Sequence, residues 1–100
     1  MDQTEKELNN TCRSIAEKIE KMSPKEFQDW TRSSVLETNY LVTSKKEYIG
    51  AELLVAYGGP TIIIKTRESK IEGTWAGDEY SCIYSNDSFD DYMFETYMEL

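Results

Sequence analysis

The chain has 100 residues, of which 39% are hydrophobic and 12% aromatic, a composition typical of a folded protein and not of a disordered one. Its formal net charge is −8 at pH 7, so its surface would repel nucleic acid and acidic membranes and attract basic surfaces. The length predicts a single domain that spans residues 1–100.

The first predicted element is a helix over residues 4–22. Thr4 and Glu7 have the spacing of a capping box, in which the two side chains bond each other's backbone N–H groups. Apolar residues then recur at helical spacing as far as Met22, so one face of this helix is expected to be buried.

A second, shorter helix is predicted over residues 23–34. Ser23 is a favoured N-cap, Pro24 suits the first helical position, and Glu26 completes the start signal three residues after the cap. Phe27 and Trp30 lie on one side of this helix, which therefore has an apolar face for the core.

From residue 39 the hydrophobic period shortens to about two, which indicates strands. Strands are predicted over residues 39–43, 48–57, 61–66 and 71–76, and residues 79–84 are a candidate fifth strand. Because the connections are short and consecutive, the sheet is expected to be an antiparallel meander. On the longest strand, alternation predicts one shared face for Ile49, Ala51, Leu53, Val55 and Tyr57.

The last predicted element is a helix over residues 88–100, with Ser88 as its N-cap. Its spacing places Phe94 and Met98 near solvent. The side expected to pack on the sheet carries Phe89, Tyr92, Met93, Tyr97 and Leu100. The predicted fold class is therefore α+β, with a four- to five-stranded antiparallel meander, two N-terminal helices and one C-terminal helix.

Acidic residues dominate the end of the chain, where no basic residue follows Lys70. Four of them recur at steps of four, which on a helix makes one stripe with steps of about 6 Å. These residues are Asp87, Asp91, Glu95 and Glu99. The stripe has two interpretations: an imitation of the phosphate row of a nucleic acid, or an ordinary solvated helix face.

The candidate partner-binding surface combines these acids with their acidic and apolar neighbours. Its predicted members are Asp78, Glu79, Asp87, Asp90, Asp91, Phe94, Glu95, Met98 and Glu99. The free face of the sheet is the competing candidate, provided that it exposes a row of Tyr and Ile side chains.

Catalytic chemistry has little support in the sequence, which contains no histidine to transfer protons or to activate Cys12 or Cys82. We predict no enzyme activity, no catalytic residues and no cofactor. Residues 86–91 are acid-rich but lack the glycine and the distal glutamate of a calcium loop, so no metal site is predicted.

The expected location is the cytoplasm, because no signal peptide and no run of about 20 apolar residues is present. Both cysteines are accordingly predicted to be reduced core residues.

A Gly-Gly-Pro turn, an Ile-rich strand that ends in Thr, and a Gly-x-Trp strand before Gly-Asp follow one another in the middle of the chain. The three stretches read Ala56-Tyr57-Gly58-Gly59-Pro60-Thr61-Ile62, Lys65-Thr66 and Ile71-Glu72-Gly73-Thr74-Trp75-Ala76-Gly77-Asp78-Glu79. This order resembles a group of small acidic proteins from phages and mobile elements of Gram-positive bacteria, in which helices flank the same unit.

The resemblance implies an inhibitor of bacterial defence, and anti-CRISPR proteins are the best-known class of such inhibitors. The leading hypothesis is an anti-CRISPR protein that acts as a DNA mimic: it binds a CRISPR effector nuclease stoichiometrically and masks a basic nucleic-acid-binding site with its acidic surface. The expected partner is thus a basic nucleic-acid-binding protein, with no direct contact to nucleic acid or membrane, and the chain is a monomer or homodimer.

Two alternatives stay open. One is an immunity protein or antitoxin that neutralises a nuclease toxin. The other is a small homodimeric structural or regulatory protein whose acidic face is merely solvated.

Overall fold

A computed structural model describes the backbone from Gln3 to Leu100 and the side chains from Glu5 onward. The elements are α1 (Gln3–Lys21), α2 (Pro24–Ser34), β1 (Glu37–Val42), β2 (Tyr48–Ala56), β3 (Thr61–Lys65), β4 (Lys70–Trp75), β5 (Asp78–Ile83) and α3 (Asp87–Met98). The strands form one antiparallel sheet in the order β1-β2-β3-β4-β5. The predicted α+β class and meander are confirmed. None of the helices in this part of the chain combines the length and the apolar character that crossing a membrane requires.

The core lies between the sheet and the helices. Helix α1 lies against β4 and β5, α3 lies against β2, and α2 packs on α3. Ile62, Ile64 and Ile71 are fully buried on the helix side of the sheet, and Phe27 and Phe89 are fully buried on the helices. Burial of side chains of this size contributes roughly 1.5–3 kcal/mol each, so this interface supplies much of the stability.

The other side of the sheet carries no second layer within the described chain. Its centre holds two ion pairs, because the ammonium groups of Lys65 and Lys70 each lie 2.9 Å from the Glu72 carboxylate. Ile63 is half-buried beside them. This side of the sheet is therefore a mixed and largely self-neutralised surface.

Strand β2 departs from the predicted alternation at both ends. Ile49 is 38% exposed and Tyr57, which follows the end of the strand, is 77% exposed, so neither shares the buried face of Ala51 and Leu53 that the predicted alternation gave them. Leu41 of β1 pairs with Gly50 and Val42 pairs with Tyr48, so Ile49 is the extra residue of a bulge in β2, and the bulge reverses which side chains face inward at the start of that strand. Tyr48 consequently faces α3 in the place expected for Ile49.

The predicted start of α2 is confirmed. The backbone N–H and the hydroxyl of Ser23 both donate to the Glu26 carboxylate, at 3.2 and 2.9 Å. The prediction for α1 differs from the structure, because Thr4 already lies inside the helix instead of preceding it. The side chain of Thr4 is outside the described residues.

The N-cap of α3 is Asn86 and not the predicted Ser88. The Asn86 side-chain oxygen accepts the Ser88 N–H at 3.2 Å, while its amide donates to the carbonyls of Ile19 at 2.7 Å and Met22 at 3.2 Å. At the other end α3 stops at Met98, which leaves Leu100 85% exposed instead of packed on the sheet.

Gly73 sets how closely α1 approaches β4. A Cβ atom at this position would lie 2.7 Å from Leu8 Cδ1 and 2.8 Å from Cys12 Sγ, both of which are buried. Two packed side chains of α1 occupy the space that a larger residue at position 73 would need, so the helix and the strand meet through glycine.

We therefore expect Gly73→Ala to lower the free energy of unfolding by roughly 1–3 kcal/mol, since the added methyl group overpacks the contact with α1. Gly59→Ala is the matched control, because the nearest atom to a Cβ there is Trp75 Nε1 at 3.9 Å. Urea unfolding followed by tryptophan fluorescence measures both. Equal stability of the two variants would contradict the proposed role of Gly73.

Candidate protein-binding surface

The acidic stripe predicted from the sequence exists on α3. All four of its members are exposed, and none of them forms an ion pair with any residue in the described part of the chain. They are Asp87, Asp91 and Glu95 of α3, which contains no basic residue, and Glu99, the C-cap of that helix. The stripe is thus a row of unneutralised carboxylates that faces solvent.

Local electrostatics does not explain the whole stripe. Each of its three like-charge contacts at a spacing of four residues is unfavourable by about 0.2–0.5 kcal/mol. Asp87 is the first residue of α3, where the helix dipole favours negative charge. Glu95 and Glu99 lie at the C-terminal end, where the dipole opposes it. The charges of Glu95 and Glu99 therefore lower the stability of the folded chain.

Asp90 differs from the stripe because it is used inside the fold. The Tyr48 hydroxyl donates to Asp90 Oδ1 at 2.6 Å and lies 3.3 Å from Thr66 Oγ1, which accepts the Ala51 N–H at 2.8 Å. Burial, helped by the hydrogen bond to Asp90, raises the pKa of Tyr48 above its usual range. Asp90 thus joins α3 to the sheet, and one of its oxygens is occupied.

Asp78 and Glu79 lie apart from the stripe. They open β5, directly after a turn in which Ala76 and Gly77 both have positive φ, 51° and 88°. Helix α3 begins beyond the opposite end of that strand. The structure therefore does not bring Asp78 and Glu79 together with the other candidate residues.

Phe94 and Met98 are the apolar members of the surface, with exposed fractions of 44% and 64%. Phe94 packs on Tyr48 with ring centroids 5.5 Å apart, so it is held in place while part of its ring stays accessible. Both residues lie on the solvent side of α3 beside Asp91. The surface consequently offers apolar contact area next to carboxylates.

An aromatic cluster at the end of α3 was missed by sequence reasoning. The Tyr97 ring packs on Tyr40 and Tyr48, with centroids 5.4 and 5.7 Å apart, and its hydroxyl donates to the Lys46 carbonyl at 2.7 Å. Helical spacing predicted that Tyr97 packs on the sheet, but no signal in the sequence indicated that its partners are Tyr40 and Tyr48. These contacts fix the C-terminal half of α3 against the β1–β2 hairpin.

The competing surface, the free face of the sheet, shows no row of Tyr and Ile side chains in the described residues. Tyr40, Tyr48 and Tyr80 lie on the helix side, where Arg13 Nε donates to the Tyr80 hydroxyl at 2.7 Å. Ile83 is 78% exposed at the sheet edge. The condition set for the sheet as the competing surface, an exposed row of Tyr and Ile side chains, is therefore not met in this part of the chain.

The two cysteines are free thiols, with Cys12 buried and Cys82 half-buried. Burial raises the pKa of Cys12 to about 11, and it also raises the pKa of Cys82. Thiols with raised pKa values are poor nucleophiles near neutral pH. Within residues 3–100, no cluster of three or more His, Cys, Asp or Glu side chains has the arrangement to hold a metal ion.

Comparison with known protein families, with curated proteins and with solved structures finds no match for this chain.

Asp90 and Asp91 are neighbours with different expected roles in stability. Asp90→Ala should lower the free energy of unfolding by about 1–2 kcal/mol, because it leaves the half-buried Tyr48 hydroxyl without its acceptor. Asp91→Ala should leave stability nearly unchanged or raise it slightly, because Asp91 is exposed between like charges. Urea unfolding at pH 7 compares the two variants. A larger loss for Asp91→Ala would show that the stripe supports the fold.

The burial of Cys12 predicts that its thiol reacts slowly with alkylating reagents in the native chain. At pH 8 a thiol with a pKa of about 11 is ionised to roughly one part in a thousand, against about a quarter for an unperturbed thiol. Alkylation of Cys12 should therefore be slower in the native chain than in urea by a factor on the order of a hundred. Peptide mapping after timed iodoacetamide treatment measures each site. Equal native rates for Cys12 and Cys82 would contradict the assigned burial.

Proposed function

We propose that this chain is an anti-CRISPR protein, a stoichiometric inhibitor of a CRISPR effector nuclease. One observation carries the proposal: α3 and its C-cap residue hold a solvent-facing row of carboxylates, none of which forms an ion pair within the described chain. A CRISPR effector holds its guide and target in a positively charged channel that reads the backbone of the nucleic acid. A row of fixed carboxylates offers such a channel the same kind of charge.

The geometry of α3 suits this competition. A helix of 12 residues is about 18 Å long, and the carboxylates are spaced along it at steps of about 6 Å. Helix α3 is held at both ends, by Asn86 and by Tyr97, so little ordering would accompany binding. Exposed Phe94 and Met98 would add apolar contact next to the charge, as the centres of protein interfaces do.

The proposal assigns no catalytic step to the chain. Inhibition would follow from occupation of the effector's basic site in the cytoplasm of the bacterial host, with one inhibitor for each effector. The energetic cost of Glu95 in the last turn of α3 and of Glu99 at its C-cap favours this function over simple solvation, because charge placed against the helix dipole lowers stability without an internal benefit.

Reversal of charge along the stripe tests the mechanism. We expect the triple variant Asp91→Lys, Glu95→Lys and Glu99→Lys to fold and to lose inhibition of target cleavage, with at least a hundredfold weaker binding to the effector. Each reversed contact replaces attraction by repulsion at the interface. Cleavage assays with a panel of purified CRISPR effector nucleases, and binding measured by biolayer interferometry at two salt concentrations, give the readout.

The matched control reverses three exposed acids on other elements, Glu20, Glu37 and Glu68, and so produces the same net charge. This control should inhibit like the original chain. If the two triple variants inhibit equally, bulk charge or another surface is responsible and the mimic mechanism fails. If no effector is inhibited but a basic nuclease toxin is neutralised, the immunity-protein alternative replaces the proposal.

A further inference from the structure

One flank of the acidic stripe borders a groove between α2 and α3. The groove encloses about 440 Å³ and is lined by Gln28, Thr31, Arg32, Tyr92, Glu95 and Glu99, among others. A smaller depression of about 230 Å³ shares Tyr92 and Glu95 with it and extends to Pro24 and Asp91. The two depressions are adjacent along the helix pair, and together they are called the channel.

The groove is held open by aromatic packing beneath it. Phe27 of α2 contacts both Phe89 and Tyr92 of α3, with ring centroids 5.0 and 5.7 Å apart. Phe27 and Phe89 are fully buried, whereas Tyr92 is half-buried and offers part of its surface to the groove. Because the two helices are fixed by these rings, the channel is preformed and has an aromatic floor.

The charge of the channel is unbalanced. Asp91, Glu95 and Glu99 line the α3 side, while Arg32 is the one basic residue among the lining residues of the two depressions. Arg32 forms no ion pair with them in the described chain. Three carboxylates against one guanidinium leave the channel with a net negative charge, which a basic occupant would neutralise.

We propose that this groove seats an extended, arginine-bearing segment of the partner protein, an inference that rests on the proposed function. Guanidinium groups stack on aromatic rings and bind carboxylates through two parallel hydrogen bonds, whereas ammonium groups act as point charges. Tyr92 beside Glu95 supplies both partners for a guanidinium. The groove therefore prefers arginine to lysine.

The spacing of the acids specifies the register of that segment. Successive same-side residues of an extended chain are about 6.6 Å apart, close to the step of about 6 Å between Asp91, Glu95 and Glu99 along α3. Arginines at alternate positions of the segment thus meet successive carboxylates. A contiguous run of arginines would direct every second side chain away from α3.

Binding of labelled peptides tests the inference. The probe is a peptide with three arginines that alternate with serines, and the comparison peptides contain lysine in their place or the three arginines in one run. Fluorescence anisotropy at low salt should show the alternating arginine peptide bound most tightly, with each comparison peptide weaker by about fivefold or more, which corresponds to about 1 kcal/mol.

An uncharged substitution that fills the groove distinguishes the contribution of the groove to peptide binding from that of the acidic charges. Gln28→Trp places a large side chain at an exposed position of the α2 wall and should weaken the alternating peptide at least tenfold. Asn10→Trp, at an exposed position of α1, is the matched control and should bind normally. Thermal unfolding confirms that both variants fold. Independently, NMR titration of the unmodified chain should shift the amides of Thr31 and Tyr92.

The outcomes separate this inference from the proposed function. One outcome is that Gln28→Trp binds the peptide and inhibits the effector normally, whereas the variant reversed at Asp91, Glu95 and Glu99 does neither. In that case the proposed role of the groove is wrong and the proposed role of the acidic surface stands. Equal affinity for all three peptides, or unshifted Thr31 and Tyr92 amides, likewise overturns the groove. If the charge-reversed variant also inhibits normally, both proposals fail.

Discussion

The side chain of Asn86 makes the contact on which the placement of α3 depends. One amide bonds two carbonyls at the end of α1, and the oxygen of the same side chain caps the first turn of α3. The last carbonyls of a helix and the first N–H groups of another are unsatisfied by their own helices, and here one residue serves both. Since α1 is fixed on β4 and β5 through Gly73, the start of α3 is fixed relative to the sheet as well.

From that starting point two further hydrogen bonds set the direction of α3 across the sheet. Asp90 meets the Tyr48 hydroxyl in the first half, and Tyr97 meets the Lys46 carbonyl in the second. Because these contacts hold one side of α3 against the sheet, the acids of the stripe lie on the opposite side and face solvent. The packing of α3 therefore determines which of its positions are exposed. It does not determine which residue types occupy those positions, and these can be selected for binding.

The fold was largely predictable from the sequence, because its signals are local: hydrophobic period, turn residues and short connections. The errors fall where non-local contacts decide. The bulge beside Tyr48 reversed the expected faces at the start of β2, and the cap is Asn86 instead of Ser88 because Asn86 also bonds α1. For the site, helical spacing predicted the exposed stripe. No local signal could separate Asp90 from Asp91, since the difference between them arises from a tyrosine 42 residues away in the chain.

The resemblance to small phage proteins and the acidic surface concern different parts of this molecule. Gly73 of the Gly-x-Trp strand admits α1, and Thr66 at the end of the Ile-rich strand bonds the backbone of β2, so the residues from which the resemblance was inferred build the sheet and its contact with α1. The stripe and the groove belong to α2 and α3, outside the segment from Ala56 to Glu79. A protein with the same central unit but a neutral final helix would keep the architecture and lose the charge complementarity. Under the proposed function, selection of the partner would depend on α2 and α3 and not on the segment from Ala56 to Glu79.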